Sequence, residues 1–109
     1  MPPQYDFIAK IYSLTFEEGG RMTPFRSGYR PSIMLRGHLY DVVVLFGDRD
    51  EIAGGENAVV GMSLFSPEKQ KGKLYVGLRF TIQEASRVVG RGEIVTLFNE
   101  SLIGIPPGE

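Results

Sequence analysis

Turn-forming residues interrupt this chain too often for long helices. Fourteen glycines and seven prolines are spread through its 109 residues. The segments between them carry alternating or β-branched apolar residues, with no sustained 3.6-residue stripe. Phe7, Ala9 and Ile11 alternate with Ile8, Lys10 and Tyr12, a period near two that reads as a strand with one buried face. Ser32 to Arg36 reads as a short strand after Pro31, whose ring disfavours helix at Arg30. Leu39 to Phe46 and Ala58 to Phe65 are two further strand candidates. Lys73 to Ile82 carries strand residues broken by Gly77, and Arg87 to Phe98 alternates around Val88, Ile94 and Thr96. Between these lie a turn-rich stretch from Glu17 to Gly28, a polar loop from Gly47 to Asn57 and a charged turn from Pro67 to Gly72. The residues from Asn99 to the C-terminus read as a loose tail. Many short strands separated by turns predict an all-β sandwich or barrel, and a closed barrel removes the unpaired edges such strands would expose.

Composition narrows the function classes. The length fits a single domain over residues 1–109. Twelve basic against thirteen acidic residues give a net charge of −1, which excludes a surface that is cationic all over and leaves only local basic patches. With no Cys there is no disulfide, thiolate metal site or cysteine nucleophile. No apolar run reaches the roughly 18 residues of a membrane span, and Met1 to Lys10 has no signal-peptide pattern. A cytoplasmic protein without a membrane segment is expected.

Two blocks of sequence resemble a known family. Glu17-Glu18-Gly19-Gly20-Arg21-Met22-Thr23-Pro24-Phe25, followed by Gly28-Tyr29-Arg30-Pro31, is similar to the signature of the C-terminal (third) domain of elongation factor Tu. Gly77-Leu78-Arg79-Phe80-Thr81-Ile82-Gln83-Glu84, continuing as Arg87-Val88-Val89-Gly90-Arg91-Gly92, resembles its closing strands. The resemblance runs from about Tyr5 to Phe98 and describes that domain as a stand-alone small protein. It implies a six-stranded antiparallel closed β-barrel of the translation-factor type. It also implies a domain that hydrolyses nothing: in the family it contacts the T-stem of aminoacyl-tRNA, packs on the GTP-binding domain and helps to bind the exchange factor Ts. The sequence has no Gly-x4-Gly-Lys-[Ser/Thr] loop, so no GTP site is expected. No cofactor and no metal are implied either.

Of the positions the resemblance implies against the T-stem, Ser32, Ser66 and Ala85 depart from the family, and further departures lie elsewhere. Met22 stands where the family has His, and Ser32 where it has Gln. Ser66 replaces a basic residue, Ala85-Ser86 replaces Gly-Gly, and Gln83 replaces Arg. The family's Thr-Thr-Asp-Val-Thr-Gly stretch is not recognisable between Gly37 and Val42, and there is an insertion around Glu68 to Lys73. Arg21 and Glu84 are retained. Loss of side-chain donors and of a close-approach glycine weakens a phosphate-reading surface.

The candidate RNA- or partner-binding set is therefore Arg21, Met22, Arg26, Arg30, Ser32, Glu84 and Ala85. Arg21, Arg26, Arg30 and Arg36 lie in a segment without an acid and form the best electropositive candidate. The alternative is that they cap turns or pair with Glu17, Glu18 and Asp41. Phe16, where the family carries charge, is either an anchor for a protein partner or a satellite of the core. His38 lacks a Gly-x-Ser-x-Gly elbow or other nucleophile pattern. The Asp48, Asp50, Glu51 and Glu56 loop fails the calcium-loop spacing. The sequence therefore predicts a non-enzymatic, translation-related module that binds tRNA or another structured RNA, or a translation-factor protein. The alternatives are a mimic or decoy of elongation factor Tu and, with least support, a small enzyme.

Overall fold

The alternation at the N-terminus becomes strand β1 (Phe7–Ser13), whose buried positions Phe7, Ala9, Ile11 and Ser13 face inward. The structure, a computed structural model, describes residues 5–47 and 49–106. Seven further strands follow: β2 (Phe25–Arg26), β3 (Ser32–Leu35), β4 (His38–Leu45), β5 (Glu51–Ile52), β6 (Asn57–Leu64), β7 (Arg79–Glu84) and β8 (Arg87–Leu97). Six of them close into an antiparallel barrel in the order β1-β6-β4-β3-β7-β8, with β8 returning to β1. The closed six-stranded barrel expected from the family resemblance is the fold of this chain.

Local chemistry accounts for the tight connections. The β3–β4 hairpin turns on Arg36 and Gly37, at φ 51 and 82. Two successive positive-φ residues give a turn whose twist matches that of paired strands. Strand β8 carries register shifts against both neighbours, beside Ile8/Ala9 on β1 and Ile82/Gln83 on β7. Such bulges add local twist, which helps a short sheet to close. The interior is filled from every barrel strand, with Phe7, Ile33, Val44, Met62, Ile82 and Ile94 fully buried.

Segments outside the barrel sheet close its two ends. At the Ser13 end of β1, strands β2 and β5 pair Phe25 with Ile52, and both side chains are buried. In the sequence these residues fall among turns and a polar loop, because two-residue strands carry no detectable period. At the Phe7 end, the insertion forms a 3-10 turn over Pro67–Gln70, and a second 3-10 turn spans Glu100–Leu102. Asn99 caps the second turn by accepting from the Ser101 N–H. The chain after Asn99, expected to be loose, is instead hydrogen-bonded to the insertion. Leu74 N–H donates to the Leu102 carbonyl at 2.8 Å, and Gly104 N–H to that of Leu74 at 2.7 Å. Leu74 and Leu102 are fully buried. This contact explains a second difference. The strand expected over Lys73 to Ile82 begins only at Arg79, because Leu74 pairs with the tail and Gly77, at φ 95, turns the chain. Residues 107–109, the end of the predicted tail, lie outside the described residues, as does Asp48 of the acidic loop.

Candidate partner-binding surface

The turn after β1 and the β7–β8 hairpin meet at the Ser13 end of the barrel. Gly20 is held so close to the Leu14 carbonyl that any Cβ would overlap it, which accounts for glycine there. Arg87 grips this turn from the hairpin side: its Nε donates to the Gly19 carbonyl at 3.0 Å and its Nη2 to that of Gly20. Arg21 is thereby directed toward β7. Its Nε lies 3.3 Å from Glu84 Oε2, its Nη2 donates to Thr23 Oγ1 at 3.0 Å, and its guanidinium carbon sits 4.6 Å from the centroid of the Tyr29 ring. Tyr29 donates its hydroxyl to the same Glu84 oxygen and stacks on Phe25 at a centroid distance of 4.8 Å. Burial, and next the bond to Glu84, hold the Tyr29 phenol well above its ordinary pKa. The cluster is thus an Arg–Glu–Tyr network on an aromatic base.

The other candidates are distributed around this network. Met22, next to Arg21, is 84% exposed. Ala85 follows Glu84 at φ 54, in the left-handed region that favours glycine. Ser32 pairs with Gln83 in the β3–β7 ladder, and its hydroxyl donates to Asp41 Oδ1 at 2.8 Å. Arg26 lies on the β2–β5 cover and pairs with Glu51 at 3.3 Å. Arg30 lies over the Phe65 ring, 5.8 Å from its centroid. Arg36 reaches the opposite end, where it donates to Gln70 Oε1. The four arginines of the acid-free segment therefore do not form one patch. Arg21, Met22, Glu84 and Ala85 come together, Ser32 adjoins them, and Arg26 and Arg30 stand apart.

Sequence reasoning missed two arginines. Arg87 locks the Gly19-Gly20 turn, and its signal was its place in the second family block. Arg91 stacks on Tyr12 at 4.5 Å and lines a groove of about 590 Å³ outside β1, β7 and β8, with Lys10, Met34, Arg79 and Phe80. His38 is exposed and lies edge-on to Tyr40 at 6.5 Å. Glu56 pairs with Arg49 at 2.9 Å and accepts from the Ala53 N–H, so it closes its own loop. Among the described residues, no three His, Cys, Asp or Glu side chains converge as they would around a metal ion. Among them too, no helix is long and apolar enough to cross a membrane.

The family model described as the elongation factor Tu C-terminal domain matches residues 1–98. The chain belongs to that family. The match ends one residue before Asn99, so the segment that docks on the insertion lies beyond the matched residues. The elongation factor Tu C-terminal domain is a non-catalytic binding domain, which makes this chain a translation-related module. In this family member Arg21 and Glu84 pair with each other.

Proposed function

We propose that this chain is a non-enzymatic binding module that engages a protein of the translation apparatus through the surface around Arg21, Met22, Glu84 and Ala85. One observation carries the reading: Arg21 and Arg87 at that surface, and Arg26 and Arg30 away from it, are each engaged within the molecule. Arg21 pairs with Glu84, Arg26 with Glu51, and Arg87 with two backbone carbonyls, while Arg30 covers Phe65. Binding of a polyanion draws its affinity from cations that can neutralise phosphates, and these would first have to leave their partners. Met22 and Phe16, in contrast, offer apolar surface to solvent, as a protein contact requires. A module of this kind competes with elongation factor Tu for a shared partner, which is the sense in which it acts as a mimic.

Titration against purified exchange factor Ts, against the GTP-binding domain of elongation factor Tu and against tRNA tests the reading. Saturable binding to one of the two proteins, weakened at least roughly tenfold by Met22→Asp, supports it; a buried contact of about 1.4 kcal/mol suffices for that change. Binding to tRNA that falls steeply with salt, and whose salt slope drops in Arg21→Ala, overturns it in favour of an RNA partner.

A further inference from the structure

The turn that carries Phe16 is held more firmly than a surface connection needs to be. Thr15 and Glu18 cap one another: Thr15 N–H donates to Glu18 Oε1 at 2.9 Å, and Glu18 N–H reaches Thr15 Oγ1 at 3.1 Å. Tyr12 donates its hydroxyl to the same Glu18 oxygen at 2.7 Å. Gly19 N–H and Gly20 N–H close the turn on the carbonyls of Phe16 and Thr15 at 3.0 and 2.8 Å. From one side Arg87 holds the Gly19 and Gly20 carbonyls. From the other, the Gly54-Gly55 turn packs on Thr15, where a Cβ at Gly54 would lie 3.1 Å from its Cα.

Two side chains at the apex of this mount have no work within the molecule. Phe16 is 58% exposed, and Glu17 makes no hydrogen bond or ion pair among the described residues. An aromatic ring on a rigid turn loses little freedom when it is buried by a partner, and such rings are common energetic centres of interfaces. The acids Glu17 and Glu18 beside it face any incoming phosphate with like charge. Two nearby cations are already engaged: Arg87 holds backbone carbonyls, and Arg91, stacked on Tyr12, acts on Glu18, which leaves Glu17 without a partner among the described residues.

We infer that Phe16 is a preorganised anchor that enters an apolar pocket on a protein partner, with a Lys or Arg on the pocket rim opposite Glu17. The inference rests on the protein-partner reading above and names the chemistry of that partner.

Photo-crosslinking of the full chain in the cells that make it tests this. Benzoylphenylalanine is placed at Phe16, at Met22 and, as a control, at the exposed Val59 on the outer face of β6. The expected result is a discrete protein adduct from position 16 and none from position 59. Its crosslinked peptide maps to an apolar pocket bordered by Lys or Arg. Glu17→Lys lowers the adduct yield several-fold by like-charge contact, and the thermal midpoint is unchanged because neither apex side chain is packed. A position-16 adduct on a polar or acidic surface overturns the inference, as does the absence of any adduct there. An adduct from position 22 alone leaves the protein reading standing without the anchor. Retention of tRNA without any protein adduct removes both.

Discussion

Arg21 and Glu84 meet at 3.3 Å across the end of the barrel, and Tyr29 donates its hydroxyl to the same carboxylate oxygen. One residue comes from the turn after β1 and the other from the last position of β7. The pair is therefore a tie between two parts of the barrel end as well as part of its surface.

Arg21→Met is expected to lower stability by about 1–2 kcal/mol. The partly exposed ion pair accounts for about 0.5–1 kcal/mol after solvent screening, and the stacked cation for a similar amount. Urea unfolding of Arg21→Met, Glu84→Gln and the double variant measures the coupling. Effects that simply add would show that the pair contributes nothing of its own.

Alkaline pH should weaken the protein through Tyr29. Burial, and then the bond to Glu84, raise its pKa in the folded state above the ordinary 10.0. The unfolded phenol releases its proton first, so the stabilisation is complete below about pH 10 and declines as pH rises beyond it. Tyr12 is raised too, chiefly by its bond to Glu18, so part of the slope belongs to it. Tyr29→Phe should flatten most of the decline that sets in above about pH 10 in denaturation curves. An unchanged slope would remove Tyr29 as its source.

Leu102→Ala should cost about 2–5 kcal/mol, the usual range for a fully buried leucine, although the residue lies beyond the family match. The loss is read from the denaturation midpoint at constant m-value. A change below about 0.5 kcal/mol, the range of ordinary surface substitutions, would mean that the docked tail does not contribute to the core.

Ala85→Gly places glycine, the residue that the family resemblance implies, at this turn. Ala85 sits at φ 54, and a left-handed Cβ costs about 1–2 kcal/mol. Part of that gain is offset by the greater freedom of glycine in the unfolded chain. The variant should be as stable as the parent or more stable by up to about 1 kcal/mol, measured by thermal melting. A clear loss would show that the Ala85 methyl makes a contact outweighing the strain.

Much of the barrel was legible before any coordinates. Phe7–Ser13, Ser32–Leu35, His38–Leu45 and Asn57–Leu64 are strands close to where alternation and β-branched runs put them. Each such signal is carried by neighbouring residues, and a strand with one buried face must repeat every second position. The β2–β5 cover was invisible because two residues hold no period. The docked tail was invisible because Leu102, Ile103 and Ile105 form an apolar run too short, and too soon broken by Gly104 and Pro106, to show a period. The burial of Leu102 depends on Leu74, which is distant in sequence.

The candidate surface divides along the same line. Local residue order was enough to indicate an all-β sandwich or barrel, the Gly19-Gly20 turn and a run of arginines free of acids, and the family resemblance narrowed the fold to the closed barrel. Whether those arginines could face a ligand was a matter of where Glu84, Glu51, Phe65 and Gln70 lie once the strands have paired. Charge availability depends on partners brought together by the closed sheet, and side-chain contacts between residues so far apart leave no periodic trace in the chain.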